Sequence, residues 1–79
     1  MKVKVKYFAA LREQANKSEE YIEGEFEKAQ QLYDFLQEKY NFSIDQKNLK
    51  VAINEEYKDF NSDIFTGDII VFIPPVAGG

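Results

Sequence analysis

The 79-residue chain has no histidine and no cysteine. That removes the Ser-His-Asp triad, the Cys-His pair and any ordinary zinc site. Of its four glycines, two are the final residues, and no Walker-type or G-x-G-x-x-G loop is present to cradle phosphate. Asp59-Phe60-Asn61-Ser62-Asp63 begins like a calcium loop. Its sixth position is Ile64 rather than Gly and its twelfth is Ile70 rather than Glu, so the motif is rejected. The acid pairs Glu19/Glu20 and Glu55/Glu56 read as exposed-turn charges, with no nucleophile or proton donor set against them. What remains is the backbone terminus itself, Pro74-Pro75-Val76-Ala77-Gly78-Gly79. The two prolines have no N–H for a sheet ladder and stop the apolar strand that precedes them. Everything after Pro75 is small, so this tail is shaped to enter another protein's active site, with Gly79 as the reactive end.

The elements that must aim the tail follow from periodicity. Residues 2–8 alternate Val3, Val5 and Tyr7 with Lys2, Lys4 and Lys6, a half-buried strand, and Phe8 then puts an apolar side chain on the lysine face. The lysine stripe reads as a solvated face, with docking to a charged partner as a lesser alternative. Residues 9–15 are good helix formers and predict a short helix. Residues 16–18 turn, and residues 18–25 read as a second strand in which Tyr21 is either a strand residue or a turn residue packed on the core.

Ala29, Leu32, Tyr33, Leu36 and Tyr40 follow i, i+3, i+4, i+7 and i+11, which predicts the main helix over 29–40. Phe35 widens the stripe. Asn41 ends the helix in a left-handed conformation, while Glu27 and Lys28 are poor caps for its start. Phe42 and Ile44 tuck inward from a polar connection. Residues 49–53 form a strand, Asn54-Glu55 a hairpin turn, and residues 56–60 a short return. Ile64 and Phe65 pack, and Thr66-Gly67-Asp68 turns. Residues 69–73 are apolar at every position, which predicts a central strand covered on both faces.

One helix must then lie across one face of a mixed sheet of about five strands. With the first and last strands paired centrally in parallel, this is an α+β, β-grasp arrangement in a single domain over 1–79. A short helix follows the first strand, and residues 74–79 form a flexible tail. The other sheet face stays open, and Phe8, Tyr57, Val71 and Ile73 fall on it. Large apolar patches are rare on small monomers, so this set reads as a partner interface, anchored as interfaces are by apolar and aromatic groups. Arg12 is either a solvated helix charge or half of a partner ion pair. Pro74 and Pro75 stiffen the exit and aim the tip.

The composition narrows the class further. A hydrophobic fraction of 44% with seven Phe and five Tyr builds a core, so the chain is not disordered. The net charge of −4 argues against nucleic acid as partner. No stretch approaches a membrane span, and Met1-Lys2-Val3-Lys4-Val5-Lys6 lacks a signal-peptide core. The expectation is an acidic cytoplasmic protein with no membrane partner.

With Phe8-Ala9-Ala10-Leu11-Arg12-Glu13, Ala52-Ile53-Asn54, Thr66-Gly67-Asp68 and Ile73-Pro74-Pro75-Val76-Ala77-Gly78-Gly79 in view, the chain resembles the small, sulfur-carrier subunits of molybdopterin synthase. These belong to the MoaD/ThiS-type ubiquitin-like β-grasp family. The resemblance runs the whole length, and P-P-V-x-G-G is its most specific part. Ile53 stands where Val is usual, a conservative departure.

The resemblance implies that an E1-like adenylating enzyme uses ATP to activate the Gly79 carboxylate. Sulfur transfer then converts it to a thiocarboxylate. The charged carrier docks on the large synthase subunit, in a heterotetramer, and gives sulfur to a cyclic pterin precursor of the molybdenum cofactor. It implies no cofactor bound by this chain and no catalytic side chains of its own. Gly78 and Gly79 have no Cβ, so a channel can close around the backbone, and six extended residues reach roughly 20 Å. A carrier for thiamine or tRNA thiolation, or a ubiquitin-like modifier, shares the same activation chemistry. Thiamine carriers are usually shorter and lack the F-A-x-L-R-E segment.

Overall fold

A computed structural model describes residues 1–75. The order is β1 (Lys2–Tyr7), α1 (Ala9–Ala15), β2 (Glu19–Glu23), α2 (Ala29–Tyr40), a 3-10 turn (Gln46–Asn48), β3 (Lys50–Ile53), β4 (Glu56–Lys58) and β5 (Ile69–Ile73). The strands form one mixed sheet in the order β2-β1-β5-β3-β4. β1 and β5 are parallel and every other pair is antiparallel.

Register explains the core. Tyr7, Phe72 and Val51 make one row across β1, β5 and β3, and Val5, Ile70 and Ile53 make the next. All six are buried. Ala29, Leu32, Tyr33 and Leu36 of α2 are buried with them, as are Leu11 and Ala15 of α1. Each large side chain removed from water in this way contributes about 1.5–3 kcal/mol relative to exposure. The Tyr33 ring meets Phe72 edge-on at 5.2 Å and stacks on Phe42 at 5.9 Å. Its hydroxyl donates to the Ile44 carbonyl at 2.5 Å, which satisfies the polar end of a fully buried ring.

Both helices stop on asparagine. Asn16 and Asn41 sit in the left-handed region with φ of 59° and 57°, where asparagine is tolerated and most residues are not. The weakly marked start of α2 is satisfied partly by its own Gln31 and partly from elsewhere in the chain. Gln31 Oε1 accepts from the Glu27 and Lys28 N–H groups at 2.7 and 3.0 Å. Ala29 and Gln30 donate to the Ser62 and Phe60 carbonyls at 3.1 and 2.9 Å. Lys28 Nζ pairs with Asp63 at 2.5 Å, so the last acid of the calcium-like sequence is occupied by a lysine.

Several expectations are corrected. β5 is central, but only one of its faces is covered. Ile70 and Phe72 are buried, whereas Ile69 is 39% exposed and Val71 and Ile73 are half-buried on the opposite face. A single layer of helix covers a single side, so a uniformly apolar strand is not evidence of two. Phe65 is exposed beside a buried Ile64, and Phe35 lies at the rim of α2, edge-on to Phe26 at 5.4 Å. Tyr21 is an exposed strand residue, and its neighbour Ile22 is the one buried. β4 ends at Lys58 rather than at position 60. Glu20 is not a turn charge. It pairs with Val5 on the core side of β2 and accepts from the Tyr7 and Tyr40 hydroxyls. Among the described residues, no helix is long and apolar enough to cross a membrane.

Candidate functional site

The outer sheet face is built by the side chains that alternate with the core rows. One row runs Glu19, Lys6, Val71, Ala52 and Tyr57 across all five strands, and Ile73 lies beside Lys50. Alternation thus puts Val71, Ile73 and Tyr57 on one surface. Tyr57 is 71% exposed and Phe8 is 49% exposed. On β1 two of the lysines are engaged with the chain itself. Lys4 Nζ pairs with Glu19 at 2.8 Å, and Lys2 and Lys4 lie over the Tyr21 ring at 5.0 and 5.7 Å. The Glu19 hydrogen bond and charge raise the Lys4 pKa, and the same lysine lowers that of Glu19.

Two grooves flank the end of β5. The first, of about 450 Å³, is lined by Phe8, Ala9, Ala10 and Ile44 together with Ile73, Pro74 and Pro75. The second, of about 320 Å³, is lined by Asn48, Lys50 and Tyr57 together with the same Ile73, Pro74 and Pro75. Residues 73–75 are common to both, so they form the ridge between them. Pro74 is buried and Pro75 exposed, so the backbone leaves the packed body at Pro75. The ridge is rigid for two reasons. Ile73 is held in the ladder opposite Lys50, and each proline fixes its own φ.

Of the candidate residues, Phe8, Ile73, Pro74 and Pro75 come together in the first groove, Tyr57 lines the second, and Val71 lies next along the outer face. Arg12 is exposed on α1 and lines neither groove. Val76, Ala77, Gly78 and Gly79 lie outside the described residues. Ala9, Ala10, Ile44 and Lys50 were not anticipated as site residues. Ala9 and Ala10 read as plain helix formers. Ile44 read as core, although it is only half-buried and also lines the first groove. The lysine at position 50 gives its ammonium to the Tyr57 ring at 5.7 Å.

The site therefore has an apolar groove beside the point where the backbone leaves the packed body. Among the described residues there is no group of three or more His, Cys, Asp or Glu side chains that could hold a metal.

A molybdopterin synthase sulfur carrier subunit from Anopheles gambiae is 35% identical over 85 residues, covering 100% of this chain and 93% of the relative. The structure of SAMP1 from Haloferax volcanii superposes with a TM-score of 0.82 over 100% of both chains at 21% identity, a likeness of fold. A Helicobacter pylori complex of subunits 1 and 2 of molybdopterin-converting factor contains a chain that is 28% identical, with a TM-score of 0.70 and coverage of 100% of both chains. The family model described as the ThiS family matches residues 5–79. Fold, length and sequence together show that the chain belongs to the ThiS family.

Proposed function

We propose that this chain is the sulfur carrier subunit of a molybdopterin synthase. The observation that carries the reading is the rigid ridge of Ile73, Pro74 and Pro75 between two grooves, the first of them apolar throughout, which leads into Val76-Ala77-Gly78-Gly79. The named carrier at 35% identity supports it. The Gly79 carboxylate is unreactive toward sulfur nucleophiles until its oxygen becomes part of a leaving group. An E1-like adenylating enzyme supplies that group from ATP, releasing pyrophosphate and leaving an acyl-adenylate. A sulfur nucleophile displaces AMP and leaves a thiocarboxylate at Gly79.

The loaded carrier docks through its outer face on the large subunit, and the narrow tail enters that subunit's pterin site. The thiocarboxylate sulfur bonds to a carbon of the pterin precursor as the carbon–oxygen bond at that carbon breaks, its oxygen substituent being the leaving group. Water then cleaves the acyl–sulfur bond, which leaves sulfur on the acceptor and restores the carboxylate. The Helicobacter pylori pair of subunits supports a partner of this kind. The assembly is a heterotetramer of two small and two large subunits, working in the cytoplasm. This chain binds no cofactor of its own, since ATP and pterin belong to its partners.

Intact-mass measurement tests the reading. The chain is incubated with the adenylating enzyme, ATP and a sulfur source. The expected gain is the mass difference of one sulfur replacing one oxygen. An unchanged mass with Gly79 intact overturns the proposal. Deleting Gly79 should abolish sulfur transfer and leave folding and docking in place.

A further inference from the structure

Ala9 has a backbone conformation that its side chain does not favour. Its φ is 51°, in the left-handed region where the Cβ crowds the following carbonyl. The other described non-glycine residues with positive φ are Asn16, Asn41, Asn54 and Glu55. Asparagine enters this region readily, and Glu55 lies in a tight hairpin turn; alanine has no such excuse. The corner itself requires the conformation, because β1 ends at Tyr7 and α1 begins at Ala9. Glycine would meet that requirement without strain. The methyl group is not repaid in the core either, since Ala9 is exposed. It lines the first groove together with Ile73, Pro74 and Pro75.

We propose that the Ala9 methyl is a specificity contact for the large subunit, packing against an apolar side chain that fills the first groove when the tail is inserted. The inference rests on the sulfur-carrier reading. A strained residue at a surface invites a functional explanation once the strain itself has been observed. The occupant follows from continuity. One wall of the groove is the ridge that carries the tail, so a subunit that encloses the tail must also cover the groove. The lining is apolar throughout, so the matching group is a branched aliphatic or aromatic side chain.

The test uses the whole chain and the large subunit. Ala9→Gly should leave the folded-to-unfolded ratio unchanged or raise it by up to about fivefold, because relief of strain offsets the added freedom of the unfolded chain. The same variant should bind the large subunit about fivefold more weakly, as expected for one lost methyl contact. Ala9→Asn tolerates the backbone but puts an amide into the groove, so it should bind more weakly still while remaining folded. Ala9→Gly with wild-type affinity overturns the contact, and so does a fivefold or greater loss of folding stability. Wild-type affinity in Ala9→Asn beside weakened Ala9→Gly would mean that the methyl only stiffens the corner, which also overturns it. If the unmodified chain itself neither binds the large subunit nor gains sulfur, the carrier reading fails, and the contact with it.

Discussion

The Tyr7 hydroxyl donates to Glu20 Oε2 at 2.6 Å, joining β1 to the edge strand β2 on the core side of the sheet. Tyr40 donates to the same oxygen at 2.5 Å, and Lys17 Nζ lies 3.4 Å from Glu20 Oε1. Burial pulls the Glu20 pKa upward, but the hydroxyls of Tyr40 and Tyr7 and the Lys17 charge outweigh it, and the net shift is downward. A lowered carboxylate pKa gives stability that is present above the unfolded value near 4.5 and lost as pH falls through the folded value. Glu20→Gln should therefore cost about 1–2 kcal/mol at neutral pH, the scale of a hydrogen bond to a charged group. The gap should narrow below pH 4. Urea unfolding of both proteins at the two pH values measures it, and an equal gap at both would exclude the network as its origin.

The tyrosines give the opposite limb. Burial, then the Glu20 hydrogen bond, raises the Tyr7 pKa well beyond the usual phenol range. Burial, then the nearby Asp45 charge, pushes Tyr33 up to about 12. A raised pKa gives stability that is full below the unfolded value near 10 and is lost as pH rises toward the folded value. Unfolding free energy should decline above pH 10. Tyr7→Phe should remove part of that decline while losing stability at neutral pH, since it orphans one of the Glu20 contacts. Ultraviolet titration of tyrosinate alongside thermal melts checks both halves.

The sequence shows most plainly what repeats along one element and least what one element does for another. The α2 stripe is local, so Ala29, Leu32, Tyr33 and Leu36 could be read at 3.6-residue spacing and are all buried. Asn41 could be read as a stop because the preference belongs to asparagine itself. The start of α2 could not, because its N–H groups are satisfied by Ser62 and Phe60, thirty residues and more away. Glu20 looked like surface charge because its partners, Tyr7 and Tyr40, arrive from β1 and α2. In β5, five consecutive apolar residues hide the alternation that separates Phe72 in the core from Val71 outside. Tyr57, Val71 and Ile73 were legible because alternation alone determines a face. Ala9 was not, because helix propensity says nothing about a left-handed corner.

The hairpin between β3 and β4 does two jobs, and its two turn residues should respond oppositely to substitution. Asn54 and Glu55 have φ of 52° and 73°, the geometry of a tight primed turn. Glu55 gains nothing from that region, so Glu55→Gly should stabilise the chain by about 0.5–1 kcal/mol. Asn54 also ties the turn to β5. Its Nδ2 donates to Asp68 Oδ1 and its Oδ1 accepts from the Ile69 N–H, both at 2.9 Å. Asp68 Oδ2 in turn accepts from the Phe65 N–H at 2.8 Å. Asn54→Gly keeps the conformation and loses these bonds, so it should destabilise by about 1–2 kcal/mol. Chemical denaturation of the two glycine variants separates conformation from bonding. If both shift the same way, the side-chain bridge contributes little.

Adjacent residues of β5 should fail in different assays. Phe72 is fully buried between Val51 and Tyr7, with Tyr33 and Phe60 rings at 5.2 and 5.9 Å. Phe72→Ala should cost about 3–5 kcal/mol, a large part of the stability of a small domain. Val71 is half-buried on the outer face, in the row that ends at Tyr57. Val71→Ala and Tyr57→Ala should each change unfolding free energy by no more than about 1 kcal/mol. In calorimetric titration against the large subunit they should weaken binding by about tenfold or more, as truncated anchors do. Phe65→Ser is the control, because Phe65 is 64% exposed and lines neither of the grooves beside the tail. It should alter neither measurement by more than about 0.5 kcal/mol. Equal binding losses from Phe65, Tyr57 and Val71 would mean that any exposed apolar group serves. Loss confined to Tyr57 and Val71 would show that the partner sits on the face beside the tail.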